Sequence, residues 1–177
     1  MKKKRSLRKM AYAALFGALT AVGAYIMIPL PLVPLTLQTF FVTLSGALLG
    51  GAMGAASQVV YILLGVIGLP VFAGGKSGIG VLFGPTGGYL IGFVAGAYVT
   101  GRLTMLRPRP GFLWLCFSMA VGTAVLSGLG VLQLMVVAQL SLAKAVAVGL
   151  LPTLPGALIK VVAAALICQK VRDRLRG

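Results

Sequence analysis

The sequence predicts an all-α integral membrane protein: a single membrane domain, residues 1–177, built as a bundle of six transmembrane helices with N- and C-termini cytoplasmic. Three observations lead there. Hydrophobic residues make up 59% of the chain and charged ones only 10%, too little charge to cover a domain facing water on all sides. Apolar runs recur from Met10 almost to Gln169, and at about 20 residues per span the chain holds roughly six of them. Finally, the basic residues are gathered at the ends of those runs.

The first span, about residues 10–28, follows the basic head "MKKKRSLRK". It is too long for a signal-peptide core and ends in "IPLPLVP" with no small-x-small cleavage site, so it reads as a retained helix. The second span is about 35–49, and "GGAMG" turns the chain into the third, about 52–69. After a loop over 70–83 comes the fourth, about 84–103, then the basic "GRLTMLRPRP" and the fifth, about 112–137. Residues 138–151 carry no clear assignment, and the sixth span is about 152–170. Small residues four apart let helix backbones approach closely in lipid. Gly46, Gly50 and Gly54 form one such series, and Gly84, Gly88, Gly92 and Gly96 another. Ala14 and Ala18 make a third; beside a basic terminus, this pair is the one suited to docking a partner.

Charge fixes the expected orientation. Thirteen of the sixteen Lys and Arg residues lie in three clusters: Lys2 to Lys9, Arg102 to Arg109 and Lys170 to Arg176. With the N-terminus inside and six spans, all three clusters fall on the cytoplasmic side, while Lys76 and Lys144 fall in outer loops. A surface for nucleic acid would interleave aromatic and polar residues among the basic ones, which these clusters lack. Nucleic acid is therefore not an expected partner; membrane lipid is.

Other chemistries are excluded by composition. "GGKSGIGVLFGPTGGYLIGF" offers Gly75-Lys76-Ser77, but the first Gly of a phosphate-binding loop falls at Pro70, and no acid stands nearby to hold magnesium. The only acidic residue is Asp173 and there is no His, so paired carboxylates, nucleophilic triads and hard-metal sites are out of reach. Cys116 and Cys168 are two lone thiols without metal-ligand spacing. Neither an enzyme, nor a metal site, nor a bound cofactor is expected.

One residue is chemically out of place. Lys160 sits within "LPTLPGALIKVVAAALI", and an ammonium inside a membrane helix costs on the order of 2.5–3.5 kcal/mol. It stands roughly 15 Å from the cytoplasmic end of its span and 8 Å from Pro155, so two readings stay open. It can snorkel to the outer interface. Alternatively it faces the bundle, where Asp173 is roughly 20 Å away along the helix and a ligand carboxylate would suit it. In that case Gln38, Thr36, Thr86 and Tyr89 supply the other polar groups of an outward-facing, glycine-walled pocket.

"VPLTLQTFFVTLSGALLGG", "YILLGVIGLPVFAGG", "GPTGGYLIGF" and "LPGALIK" follow one another in an order that resembles the BioY family, from about Ala13 to Val162. That resemblance implies a biotin-specific substrate-binding (S) component of an energy-coupling factor transporter, in the bacterial plasma membrane. It would capture biotin from outside and deliver it with a transmembrane T component and two ABC-type ATPases. The implied ligand-binding residues are Lys160, Gln38, Thr36, Tyr89, Thr86, Gly87, Gly75, Lys76 and Phe72, and the implied docking pair is Ala14 and Ala18. The family's sixth helix reads P-G-D-L-I-K, whereas this chain has Ala157 at the position of the Asp. Three residues apart on a helix, that Asp and the Lys would share a face. The alternative reading is a structural or assembly membrane protein with a degenerate pocket.

Overall fold

The computed structural model describes the backbone of residues 2–174 and side chains from Leu7 to Arg174. Lys2, Lys3, Lys4, Arg5 and Arg176 of the basic clusters lie outside the described side chains. Seven α-helices carry most of the described chain: α1 Lys2–Tyr25, α2 Gln38–Leu49, α3 Gly51–Val66, α4 Gly87–Met105, α5 Phe112–Val137, α6 Leu142–Gly149 and α7 Leu154–Arg174. By length and composition, two helical stretches among the described residues are apolar enough to cross a membrane, Phe112–Val137 and Leu142–Arg174. The apolar helices α2 and α3 are shorter, at 12 and 16 residues.

The all-α expectation needs one correction. The chain leaves α1 at Tyr25 and forms a small antiparallel hairpin, β1 Met27–Ile28 with β2 Leu35–Thr36, in which Met27 faces Thr36 and Ile28 faces Leu35. The prolines at 29, 31 and 34 explain the change: they lack the N–H that a helix needs and leave an extended turn between the strands. Because Leu35 and Thr36 are held in this pairing, α2 begins only at Gln38.

A second helix boundary moved for a different reason. The stretch 138–151 contains α6, which Ser141 caps: its Oγ accepts from the Lys144 N–H at 3.4 Å. Ser141 and Lys144 thus belong to a helix start rather than an open loop. A 3₁₀ turn, Leu151–Thr153, with Pro152 inside it, then leads into α7.

Close helix approach positions the rest. A Cβ on Gly54 would stand 2.7 Å from Gly46 Cα, so these two glycines let α2 and α3 touch backbone to backbone. Along α4, Gly88, Gly92 and Gly96 meet the α5 carbonyls of Leu129, Leu126 and Gly122. Gly84 lies before α4 and takes no part in that seam.

Two apolar clusters form the interior. Phe16, Leu44, Leu115, Met119 and Cys168 join α1, α2, α5 and α7; Val42, Tyr61, Phe72, Phe93 and Leu126 join α2, α3, α4 and α5. Both α2 and α5 contribute to the two clusters and so join them. Between α1, α2 and α3 the buried Gln58 Nε2 reaches Ser57 Oγ at 3.0 Å and Thr20 Oγ1 and Ser45 Oγ at 3.3 Å each. On α1 the residues Ala13, Phe16, Gly17 and Thr20 turn inward, leaving Ala14 and Ala18 exposed. At the turn between α4 and α5, Trp114 donates to the Leu103 carbonyl at 3.0 Å while the Arg107 guanidinium stacks 4.1 Å above its ring.

Candidate functional site

A cavity of about 280 Å³ lies between α2, α4, α5 and α7, beneath the hairpin. That is near the lower end of the range for small-molecule pockets, about 300–1,000 Å³. The turn residues Pro29 to Pro34 form its roof. Its walls are largely apolar, with Leu90, Phe93 and Leu126 on the α4–α5 side and Val81 and Phe72 from the loop after α3.

Among the polar groups of the lining, Lys160, Thr36, Thr39 and Gln38 belong to one hydrogen-bonded set. Lys160, on α7, turns into the bundle: its Nζ donates to the Thr36 carbonyl at 2.8 Å and to Thr39 Oγ1 at 2.6 Å. The snorkelling alternative is thereby replaced by a bundle-facing ammonium. Thr36 Oγ1 donates to Gln38 Oε1 at 3.0 Å, Gln38 Nε2 donates to the Tyr61 hydroxyl, and that hydroxyl donates to the Val71 carbonyl at 3.1 Å. The chain runs from α7 through the start of α2 to α3 and the following loop. An ammonium has three donors, and two are taken here. The third N–H has no partner among the described residues.

The loop after α3 is shaped by backbone geometry. Gly74 and Gly75 take φ of 74° and 71°, which side-chain-bearing residues rarely adopt, and the Phe72 N–H bonds the Lys76 carbonyl at 3.0 Å. This tight turn buries Phe72, packed edge-on against Tyr61 with ring centroids 5.7 Å apart. It also brings the exposed Lys76 to the cavity rim. Gln133 on α5 holds the next turn, donating to the carbonyls of Leu82 at 2.7 Å and Gly84 at 2.9 Å. Tyr89 borders the cavity and donates to the Gly149 carbonyl at 2.9 Å, tying α4 to α6.

Of the sequence-derived candidates, Lys160, Gln38, Thr36, Tyr89, Thr86, Lys76, Phe72 and Ala157 all line this cavity. Gly75 and Gly87 do not. Gly75 bends the loop that carries Gly74 and Lys76, and the bare Cα of Gly87 makes room for the Leu82 carbonyl and the Gln133 amide. Thr39, Thr123 and Ser127 line it as well and are not among those candidates. Thr39 had a usable signal, since it follows Gln38 directly and sits within one turn of Thr36. Tyr61 had none, being an aromatic residue in an apolar helix.

The BioY family model matches residues 1–177, the whole chain. The chain belongs to the BioY family. The biotin transporter BioY of Thermotoga maritima is 45% identical over 166 residues, covering 94% of this chain and 96% of that protein. A biotin transporter BioY from Rhizobium etli is 36% identical over 177 residues, covering 94% of each. A crystal structure described as the S-component for biotin from an ECF-type ABC transporter superposes with a TM-score of 0.87. It is 26% identical and covers 98% of this chain and 95% of that one. Set beside the BioY motif P-G-D-L-I-K, Ala157 lines the cavity one turn before Lys160, and no acidic residue borders the cavity. The ammonium is instead held by a carbonyl and a hydroxyl, both neutral.

Proposed function

We propose that this protein is the substrate-binding component of a biotin uptake transporter, a multi-pass protein of the bacterial plasma membrane. It takes biotin from the outer side into the cavity under the hairpin. The observation that carries this reading is the Lys160 ammonium, turned into an apolar cavity with one donor unspent. A carboxylate is the ligand group such a donor prefers, because hydrogen bonds between ionised groups are roughly twice as strong as neutral ones. The fold shared with the S-component for biotin supports the same reading.

Six passages and two cytoplasmic termini fit the basic clusters, with α6 and α7 counted as one passage. Ala14 and Ala18 offer a flat face on α1 for a T component, which would bring two ABC-type ATPases with it; no ATP site is needed in this chain. Lys160, Gln38 and Thr36 are the residues proposed to contact ligand, with Phe72, Tyr89, Thr86, Lys76 and Ala157 forming the wall around it. Radiolabelled biotin added to the purified protein tests the reading. Saturable binding that unlabelled biotin displaces is the expected result, and its absence refutes the proposal.

A further inference from the structure

The hydrogen-bond chain beside the cavity has a fixed direction, and one accept-only group sets it. The Val71 carbonyl can only accept, so the Tyr61 hydroxyl must spend its proton there. The Tyr61 oxygen is left as an acceptor, and the group facing it from Gln38 must be the NH₂. The other end of the amide then points its oxygen at Thr36 Oγ1, which donates to it at 3.0 Å while accepting from the Gln38 backbone N–H at 3.3 Å. Reversing the amide would turn the Tyr61 proton toward Gln38 and take it from the Val71 carbonyl, losing that bond. Tyr61 is fully buried and Gln38 is 3% exposed, so the two depend chiefly on each other and on their neighbours for partners.

An amide carries two donors and two lone pairs. With one of each spent, Gln38 keeps one N–H and one lone pair, and it lines the cavity. A donor and an acceptor on one amide match in kind the edge of a cyclic urea, which offers an N–H next to a C=O. The same need exists on the ligand side, because no carboxylate borders the cavity to accept from a urea N–H.

We propose that the Gln38 amide reads the cyclic-urea edge of the ligand and that Tyr61 is the positioning residue that sets which way the amide faces. This rests on the biotin reading above and assigns its ring contact. Tyr61 itself acts only through Gln38.

The test uses biotin and 2-iminobiotin, whose protonated ring edge donates but offers no carbonyl. Binding of both is measured on the purified full-length protein, on Tyr61→Phe, on Gln38→Leu and on the double variant. Tyr61→Phe is expected to weaken biotin about tenfold, the worth of one hydrogen bond of ordinary strength, while 2-iminobiotin changes less, so the preference between the two narrows. In the Gln38→Leu background, Tyr61→Phe is expected to have no further effect. Gln38→Glu, which can only accept, should shift the preference toward 2-iminobiotin and keeps the test informative if Tyr61→Phe does not fold. Multiplicative losses in the double variant, equal losses for both ligands, or an unchanged preference in Gln38→Glu each overturn the assignment alone. Failure of the wild-type protein to bind biotin overturns the biotin reading, and this assignment with it.

Discussion

Lys160→Met separates the role of the ammonium in binding from its role in folding, because its contributions to folding offset one another while its contribution to binding does not. Met keeps the length and apolar stem of Lys and removes the charge. In the folded protein the ammonium makes two hydrogen bonds, 2.8 Å to the Thr36 carbonyl and 2.6 Å to Thr39 Oγ1. Removing it relieves the cost of a charge at membrane depth, about 2.5–3.5 kcal/mol on insertion scales. It also leaves the Thr36 carbonyl unpaired, at about 1–3 kcal/mol. These nearly cancel, so the unliganded variant should melt within a few degrees of wild type. Binding has no such compensation. The lost contact is a charge-assisted bond worth about 1.5–3 kcal/mol, which corresponds to roughly 10- to 150-fold in affinity. Thermal unfolding in detergent, with and without biotin, together with equilibrium binding, measures both quantities. A variant that binds biotin within threefold of wild type refutes the ligand role, and one that melts far lower shows that Lys160 chiefly holds α7 to α2.

Replacing both Ala14 and Ala18 with Leu should abolish co-purification with the T component and ATPases yet leave biotin binding within about twofold, since both side chains are exposed. Loss of folding would show instead that this face packs internally. Gly54→Leu should destabilise the fold by about 1–3 kcal/mol, because its Cβ would stand 2.7 Å from Gly46 Cα; Gly111→Ala, with nothing within 4 Å, is the control and should melt like wild type. Tags on either end should be shielded from protease in intact cells and cut in opened ones, as cytoplasmic termini require; an accessible terminus in intact cells refutes the proposed topology.

The helical class and the family were legible in the sequence because each rests on long runs. Hydropathy sustained over a span excludes a soluble surface, and four quoted segments in order identify BioY. What escaped were short elements decided by distant partners. Leu35 and Thr36 run without a break into the apolar segment that follows, and only their pairing with Met27 and Ile28 takes them out of the helix. For α6 a signal did exist, the capping Ser141, but eight residues are too few for a periodic pattern to stand out.

The site divides in the same way. Lys160 announced itself because a charge in an apolar run costs energy wherever it goes, so its presence requires an explanation. Tyr61 announced nothing, since a tyrosine in a membrane helix reads as ordinary packing, and Thr39 was marked only by its nearness to Thr36 and Gln38. Their roles depend on groups far along the chain: Tyr61 meets Gln38, 23 residues away, and Thr39 meets Lys160, 121 residues away. The replacement of the family Asp by Ala157 was visible at once, but its consequence needed the coordinates. An Asp beside the Lys would make the pair neutral before any ligand arrived. Here the ammonium has only neutral partners, so the empty cavity keeps a net positive charge. At low local dielectric that charge attracts an anion more strongly than a paired one would. The same substitution removes an acceptor for ring N–H groups. On the proposed reading, selectivity then shifts toward the charged end of the ligand, and discrimination at the ring falls to neutral groups such as the Gln38 amide.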